Sequence, residues 1–551
     1  MALDPIFPGQ RLEQLTKAGL WGTELIVDHL DRVARERPDT IAVVDHNSET
    51  GAEHRLSFRQ LQRLSKRVAD GLIALGIGPG DVVAVQLPSW WHYFVLYPAC
   101  ARIGAALNPL MPIFRERELK FMLGFPRTKL VVVPQTFRGF DYPAMIERLR
   151  PDLPDLCHML IVNGDAPETS FERVLLERRL DEAADVDDRL AARRPGANDV
   201  TELMYTSGTT GQPKGVMHTA NTLLCKARLA TELFGLGTDD VIFMGSPLAH
   251  QTGFMYGCVL SIINGLKCVL QDVWEPVSAA RKIQDEGCTI TLASTPFLSD
   301  LVYTPEVRRY DVSSLRLFLC AGAPIPRILL RDAAEIHPNL YVMSAWGMTE
   351  NGIVTATYPG DPEEKVFETD GRALPLQAVR VVGENGDTLA ADQEGRLQAR
   401  GPTTFVGYFN RPDAYAIDDD LWFETGDIAR MDADGYIRIT GRSKDIIIRG
   451  GENIPVVEVE ELLYRHPAVQ DVAVIGIPDQ RLGERGCAVV QLRADTQMTF
   501  SGMIDFLEEC RLARTYHPES MEIIDEFPRT PSGKIQKFKL RERLVKEQLN
   551  D

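Results

Sequence analysis

Positive charge is in short supply in this sequence. Its 60 lysines and arginines stand against 78 acidic residues, for a formal net charge of −18. That excludes the basic face that nucleic-acid backbones require. An anionic small molecule would have to be held by local loops and single cations rather than by the field of the whole molecule. Long apolar runs are missing too. The most apolar stretch, 254–266, contains Asn264 and Gly265 and is followed by Lys267. It falls short of the roughly 20 residues a membrane-spanning helix needs and reads as a buried element. Cysteine occurs nine times, never as Cys-x-x-Cys, so neither a zinc site nor a redox pair is spelled out. The thiols read as buried groups in a reducing compartment. No basic segment leads into an apolar run near Met1. The expectation is a cytoplasmic chain with no integral membrane segment and no nucleic-acid partner.

What is present is an ordinary globular composition, 44% hydrophobic and 25% charged, over 551 residues, which is more than one domain's length. Helical and strand patterns alternate from the start. Ser57 caps a run with Leu61, Leu64, Val68, Leu72 and Leu75 on one face, and short continuous apolar strands follow at 82–87 and 130–133. Such strands imply parallel sheets covered on both faces. After residue 370 the texture changes to short β-like pieces, at 378–382, 395–400 and 435–440, which suggests a small distorted barrel. A compact last unit then reads strand, helix, strand, strand, helix (501–515), and a basic tail. The fold class predicted is α/β. A large N-terminal domain of stacked α/β sheets plus a distorted β-barrel (1–441) precedes a small mobile α+β C-terminal domain (442–551).

The chain's most informative string is 205–216, Tyr-Thr-Ser-Gly-Thr-Thr-Gly-Gln-Pro-Lys-Gly-Val. Glycines at 208 and 211 permit a backbone that closes its N–H groups around phosphate oxygens. Thr206, Ser207, Thr209 and Thr210 add hydroxyl donors, and Lys214 adds a point charge. This is not a Walker A loop, because Pro213 precedes the lysine and Gly215 follows it. A helix-like run is read from Met217 onward.

The full string resembles the signature of adenylate-forming ligases, the superfamily of acyl-CoA synthetases, luciferases and peptide-synthetase adenylation domains. The resemblance extends along nearly the whole chain. The segment 246–254 resembles the one that supplies a histidine, here His250, near the acyl carboxylate. Gly322, Ala323 and Pro324 match the turn whose backbone recognises the adenine edge. In the block 341–350, Gly347 and Met348 match the close backbone approach to nucleotide, and Trp346 offers a flat face for adenine. Thr349 is placed to donate to the α-phosphate. Glu350 is a hard oxygen ligand for Mg²⁺ shared with triphosphate oxygens, with Thr206 as a second metal contact. Asp427 resembles the acceptor of the ribose hydroxyls, as suits an acceptor-only carboxylate. Arg442 resembles the arginine that reaches ribose and phosphate, and Lys444 matches the hinge about which the small domain turns. Lys534 resembles the lysine that bridges carboxylate and phosphate as charge gathers. By the same resemblance, Gly450 and Gly451 would line the thiol tunnel and leave space for pantetheine.

These matches imply an acyl-CoA synthetase that uses ATP, Mg²⁺ and coenzyme A. It would form an acyl-AMP first and a thioester second. The segments 20–22 and 42–45 look like those of ligases for short fatty and cyclohexanecarboxylic acids. Phe254, Met255, Pro296 and Phe297, with Gly322 and 346–348, are the acyl-pocket candidates, and they favour a mostly hydrocarbon acid. No Phe-Asp pair stands near His250, where amino-acid-activating domains carry an aspartate for the amine. Two other readings stay open at this point: a ligase that stops at acyl-AMP or loads a carrier protein, and a catalytically silent nucleotide-binding protein. The oligomeric state is open between monomer and homodimer.

Overall fold

A computed structural model describes residues 3–177, 183–206, 213–442, 447–449, 452–479, 481–530 and 533–550. Two large sheets carry the N-terminal body. The first has nine strands, in the order Arg372–Ala373, Gly352–Ala356, Tyr341–Met348, Leu317–Cys320, Ile290–Ala293, Val241–Met244, Lys267–Leu270, Ile41–His46 and Glu53–Ser57. The second has six, Lys214–Thr219, Val200–Thr206, Ala106–Pro109, Val82–Val85, Leu130–Pro134 and His158–Val162. Helices pack between and outside them, and one continuous apolar core runs from Ile26 to Leu374.

The interior strands are parallel, as continuous apolar strands predict. The edges are not. Glu53–Ser57 pairs antiparallel with Ile41–His46, and Lys214–Thr219 pairs antiparallel with Val200–Thr206. The predicted helix at Met217 therefore starts later. The strand register carries the chain as far as Thr219, whose side chain accepts from Thr222 N at 3.3 Å and caps a helix over Ala220–Leu233. The helix predicted from Ser57 is present over Phe58–Ala74. Its capping box is complete: Gln60 N donates to Ser57 Oγ at 3.3 Å and Ser57 N to Gln60 Oε1 at 2.8 Å, which satisfies two donors that the helix start leaves unpaired. The stretch 254–266 is buried, with π-helical turns over Phe254–Val259 leading into Leu260–Asn264, and Gly265 at φ +69° ends it.

The barrel-like part is an antiparallel sheet of Ala378–Val382, Gly395–Arg400, Phe423–Met431 and Ile437–Arg442. The small C-terminal domain has a sheet of Glu452–Ile454, Ile447–Arg449, Gly483–Leu492 and Val469–Asp479, with Ser520–Ile523 parallel to Gly483–Leu492. Val456–Tyr464 packs on it, together with Phe500–Glu509 and Lys537–Asn550. The helix predicted over 501–515 is five residues too long, because Arg511 turns left-handed at φ +61°. Leu512 N then reaches back to Leu507 O at 3.1 Å, an ending usually announced by glycine. Among the described residues no helix is long and apolar enough to cross a membrane.

Candidate active site

The site forms where strand ends of the nine-stranded sheet, the barrel edge and a C-terminal loop meet. Glu350 follows the strand Tyr341–Met348 and is only 5% exposed. Burying a lone carboxylate is costly unless it is hydrogen-bonded, and here Tyr408 Oη donates to Glu350 Oε1 at 2.6 Å. The Nζ of Lys214 lies 4.6 Å from the centre of the Tyr408 ring. One tyrosine thus links the cation at the end of the phosphate loop to the candidate metal ligand. Behind Glu350, Lys226 Nζ donates to the Thr349 carbonyl at 3.2 Å and lies 2.9 Å from His218 Nε2. Tyr408, Lys226 and His218 were not found by sequence reasoning.

Asp427 is buried and held from two sides. Trp346 Nε1 donates to its Oδ2 and Arg442 Nε to its Oδ1, each at 2.9 Å. A carboxylate has about four acceptor positions, so this clamp orients Asp427 and leaves one position on each oxygen for a diol. Trp346 packs with Val354, Val381 and Leu397 in the barrel core. Its indole N–H therefore positions Asp427, a part that the sequence reading of a flat adenine platform did not include. Gly347 also has a nearer cause than the nucleotide. A Cβ there would stand 2.2 Å from Gly352 O, so only glycine lets these two strands approach at the bulge.

Lys534 reaches this cleft from the C-terminal domain. Its backbone N donates to Thr530 Oγ1 at 3.0 Å, and Thr530 N donates to Lys534 O at 2.7 Å, which closes a tight loop. Gly533 makes the approach possible. It adopts φ +85°, and a Cβ would sit 2.9 Å from Ser294 Oγ and 3.0 Å from Pro296 Cγ. The Lys534 side chain runs past Gly322, whose Cβ would lie 3.6 Å from Cε. Burial and then Arg442 pull the pKa of the Lys534 ammonium down, Asp427 and Glu350 oppose them, and the outcome is about 8. His250 caps the short helical turn Gln251–Gly253, its Nδ1 accepting from Thr252 N at 3.3 Å. Burial, then Lys534, pushes its pKa down to about 3. The ring is neutral near pH 7, and with Nδ1 engaged as acceptor the proton is on Nε2, which becomes a neutral donor.

Among the predicted residues, the structure brings together His250, Gly322, Glu350, Asp427, Arg442 and Lys534. Ala323 and Pro324 continue the Gly322 turn, where Pro324 O accepts from Thr295 Oγ1 at 2.8 Å. Met348 and Thr349 border the cleft, half-buried, and Thr206 ends its strand opposite Lys214. Phe254 and Met255 lie in the main core, whereas Phe297 packs in a separate cluster against Trp274 and Pro296 lies against the Gly533 loop. The acyl-pocket candidates thus fall in two places. Ser207, Gly208, Thr209, Thr210 and Gly211 of the phosphate loop lie outside the described residues, as do Lys444, Gly450 and Gly451. No group of three or more His, Cys, Asp or Glu side chains suited to a metal occurs among the described residues. A single carboxylate suits Mg²⁺, which takes most of its ligands from phosphates and water.

A two-sheet body closed by a small domain that delivers one lysine defines an adenylate-forming enzyme. The chain belongs to the AMP-binding enzyme family, whose models match residues 30–409 and, for its C-terminal domain, 458–534. It is an AMP-forming acid–CoA ligase family enzyme, 37% identical over 548 residues to the medium-chain fatty-acid–CoA ligase of Escherichia coli K12, covering 99% of this chain and 95% of that one. Among solved structures, the anthranilate CoA ligase AuaEII in complex with anthranoyl-AMP superposes with a TM-score of 0.86 at 26% identity, over 97% of this chain and 99% of that one. ATP-bound MatB from Rhodopseudomonas palustris superposes with a TM-score of 0.81 at 25% identity, over 95% and 99%.

Proposed function

We propose that the protein activates a mostly hydrocarbon carboxylic acid of short to medium length, or an alicyclic one, and transfers it to coenzyme A. The observation that carries the two-step reading is Lys534. It is brought by the C-terminal domain to within electrostatic reach of Glu350 and Asp427. In the first step the acid's carboxylate oxygen bonds to the α-phosphorus of ATP, and the bond to pyrophosphate breaks. Lys534 neutralises charge on the reacting oxygens, and the neutral Nε2–H of His250 orients the acid. Asp427, held by Trp346 and Arg442, accepts from the ribose hydroxyls, and the 206–214 loop holds the phosphates. Glu350 would hold a Mg²⁺ ion that neutralises phosphate charge. The small domain then turns about Lys444 and clears a path past Gly450 and Gly451. The thiol sulfur of coenzyme A bonds to the acyl carbon, AMP leaves, and the thiol proton passes to solvent. A silent binding protein has no need of a lysine aimed into the cleft from a second domain.

A coenzyme A thioester assay across straight-chain, alicyclic and aromatic acids tests the reading. Each methylene buried in an apolar pocket contributes about 0.8 kcal/mol, so kcat/KM should rise about fourfold per carbon and break sharply when the pocket is full. Equal rates for acetate and octanoate, or a preference for amino acids, would reject it.

The Lys534 pKa adds a prediction about pH. Below about 8 the side chain is charged in the free enzyme, and above that it loses its proton. Adenylation requires the charge, so kcat/KM for pyrophosphate release should fall as pH rises through about 8. The replacement Lys534→Arg should keep its charge across that range and abolish this limb of the profile, whatever it does to the maximum rate. A flat wild-type profile from pH 7 to 10 would contradict the role.

A further inference from the structure

Two neighbouring glutamates on the helix Val456–Tyr464 of the small domain have different partners. Glu460 serves its own domain, where its Oε1 accepts from Val474 N at 2.7 Å and from Lys537 Nζ at 2.7 Å. Glu461 crosses to the N-terminal body. Its Oε2 accepts from Arg438 Nη2, and its Oε1 lies 3.7 Å from Arg327 Nε. The Glu461 side chain is 12% exposed and that of Arg327 5%. The helix meets its own core through Val456, Val459 and Leu463, so the fold of the small domain does not depend on Glu461. Its carboxylate is used at the boundary.

The receiving side is complete without it. Arg327 Nη2 donates to Asp370 Oδ1 at 3.0 Å and Arg327 Nη1 to Thr369 O at 3.1 Å. Asp370 Oδ2 accepts in turn from Ile439 N at 2.8 Å. Arg438 Nη1 donates to Glu368 O at 2.9 Å and lies 3.5 Å from Glu368 Oε2. Breaking a buried ion pair is costly when it strands a charge. Here both arginines keep carboxylate partners in the body when Glu461 withdraws, and Glu461 returns to water. Burial raises the Glu461 pKa even though Arg438 and then Arg327 pull it down, so desolvation offsets much of the attraction. The contact sets an orientation without welding it, as suits a polar interface between domains that move.

Its place in the fold ties it to the cleft. Arg327 opens the helix Arg327–Ile336 just after the 322–324 turn, and the Lys534 side chain runs past Gly322 in that turn. Arg438 lies on the strand Ile437–Arg442, whose last residue clamps Asp427. Glu461 is thus received by two elements that also line the nucleotide site. The small domain touches the body elsewhere through Gly533, against Ser294 and Pro296, and through Arg493, 5.4 Å from the centre of the Tyr303 ring. Those are steric and cation–π contacts. A carboxylate between two guanidiniums is more directional.

We propose that Glu461, received by Arg327 and Arg438, is a positioning residue for acyl-AMP formation, holding the small domain in the orientation that presents Lys534 to the cleft. The inference rests on the two-step ligase reading. Glu461 touches no substrate and acts through the fraction of molecules in which Lys534 is in place. It therefore serves the first half-reaction alone.

Single-turnover acyl-AMP formation, and thioester formation from supplied acyl-AMP, read the two halves separately in the full chain. Glu461→Ala removes the carboxylate with a residue that helices favour. Its adenylation should fall about tenfold, an ordinary size for coupling between two sites, while its thioester half stays at or above the wild-type rate. Arg438→Gln, at a side chain 32% exposed, should show the same split and carries the test if Glu461→Ala does not fold. The double variant should adenylate no more slowly than Glu461→Ala, because that change already breaks the contact. Equal losses in both halves, additive losses in the double variant, or unchanged adenylation in both singles would overturn the inference. Lys534→Ala, measured alongside, separates it from the reading beneath it. A split in Lys534→Ala with none in Glu461→Ala rejects the inference and leaves the two-step reading standing, whereas no split in Lys534→Ala rejects both.

Discussion

Replacing Lys534 with alanine should lower acyl-AMP formation by about two to three orders of magnitude and leave thioester formation from supplied acyl-AMP nearly intact. The size follows from removing one well-placed electrostatic group in a site shielded from water. The asymmetry follows from where the lysine comes from. Glu350, Asp427 and His250 belong to the N-terminal body, whereas Lys534 sits on a loop of the C-terminal domain that reaches them past Gly322 and Ser294. If the small domain turns between the two steps, Lys534 has left the cleft when the thiol attacks. Single-turnover assays of each half-reaction measure the split. Equal impairment of both would mean that the lysine stays in place throughout, and that the hinge at Lys444 has no part in the cycle. Acylation of the same side chain removes the same charge and should produce the same split.

The contact that delivers Lys534 shows which parts of this protein a sequence can announce. The loop 528–535 is legible because its parts are contiguous. Pro528, Pro531, Gly533 and Lys534 stand in one string, and the structure supplies the reason for Gly533, a positive φ at a backbone crowded by Ser294 and Pro296. The same holds for Glu350 and Asp427, each inside a short specific block. The residues that hold those carboxylates are not contiguous with them. Tyr408 is 58 positions from Glu350, and Trp346 is 81 from Asp427. Such pairs exist only once the barrel packs on the sheet edge, and nothing local marks Tyr408 as a donor. Glu202 shows the limit most clearly. Its letter sits four residues before the end of an obvious strand, where a carboxylate would be read as facing water, and only the fold shows that it is fully buried. Backbone detail fails in a similar way. The parallel interior strands follow from their apolar composition, but the antiparallel edges depend on long-range register. Arg511 in a left-handed turn gives none of the warning a glycine would.

Glu350→Gln should lower adenylation on the order of a hundredfold at limiting Mg²⁺, with partial recovery as Mg²⁺ is raised. The glutamine keeps the shape, and its Oε1 can still accept from Tyr408, whose hydroxyl lies 2.6 Å from the native oxygen. What it removes is the negative charge. A hard cation is held largely by such charge, so the variant's weakened metal affinity is what added Mg²⁺ repairs. A purely structural carboxylate would behave differently, with loss at every metal concentration and no recovery. The pH profile provides an independent check. Glu350 is one of the two carboxylates that hold the Lys534 pKa up against burial and Arg442. With its charge gone, Lys534 should give up its proton more readily, and the alkaline limb of adenylation should move to lower pH. Titrating pyrophosphate release against Mg²⁺ at several pH values reads both effects in one experiment. Unchanged activity at limiting Mg²⁺ would remove Glu350 from the metal site. A limb that stayed in place would show that Glu350 and Lys534 do not face each other across the cleft during the first step.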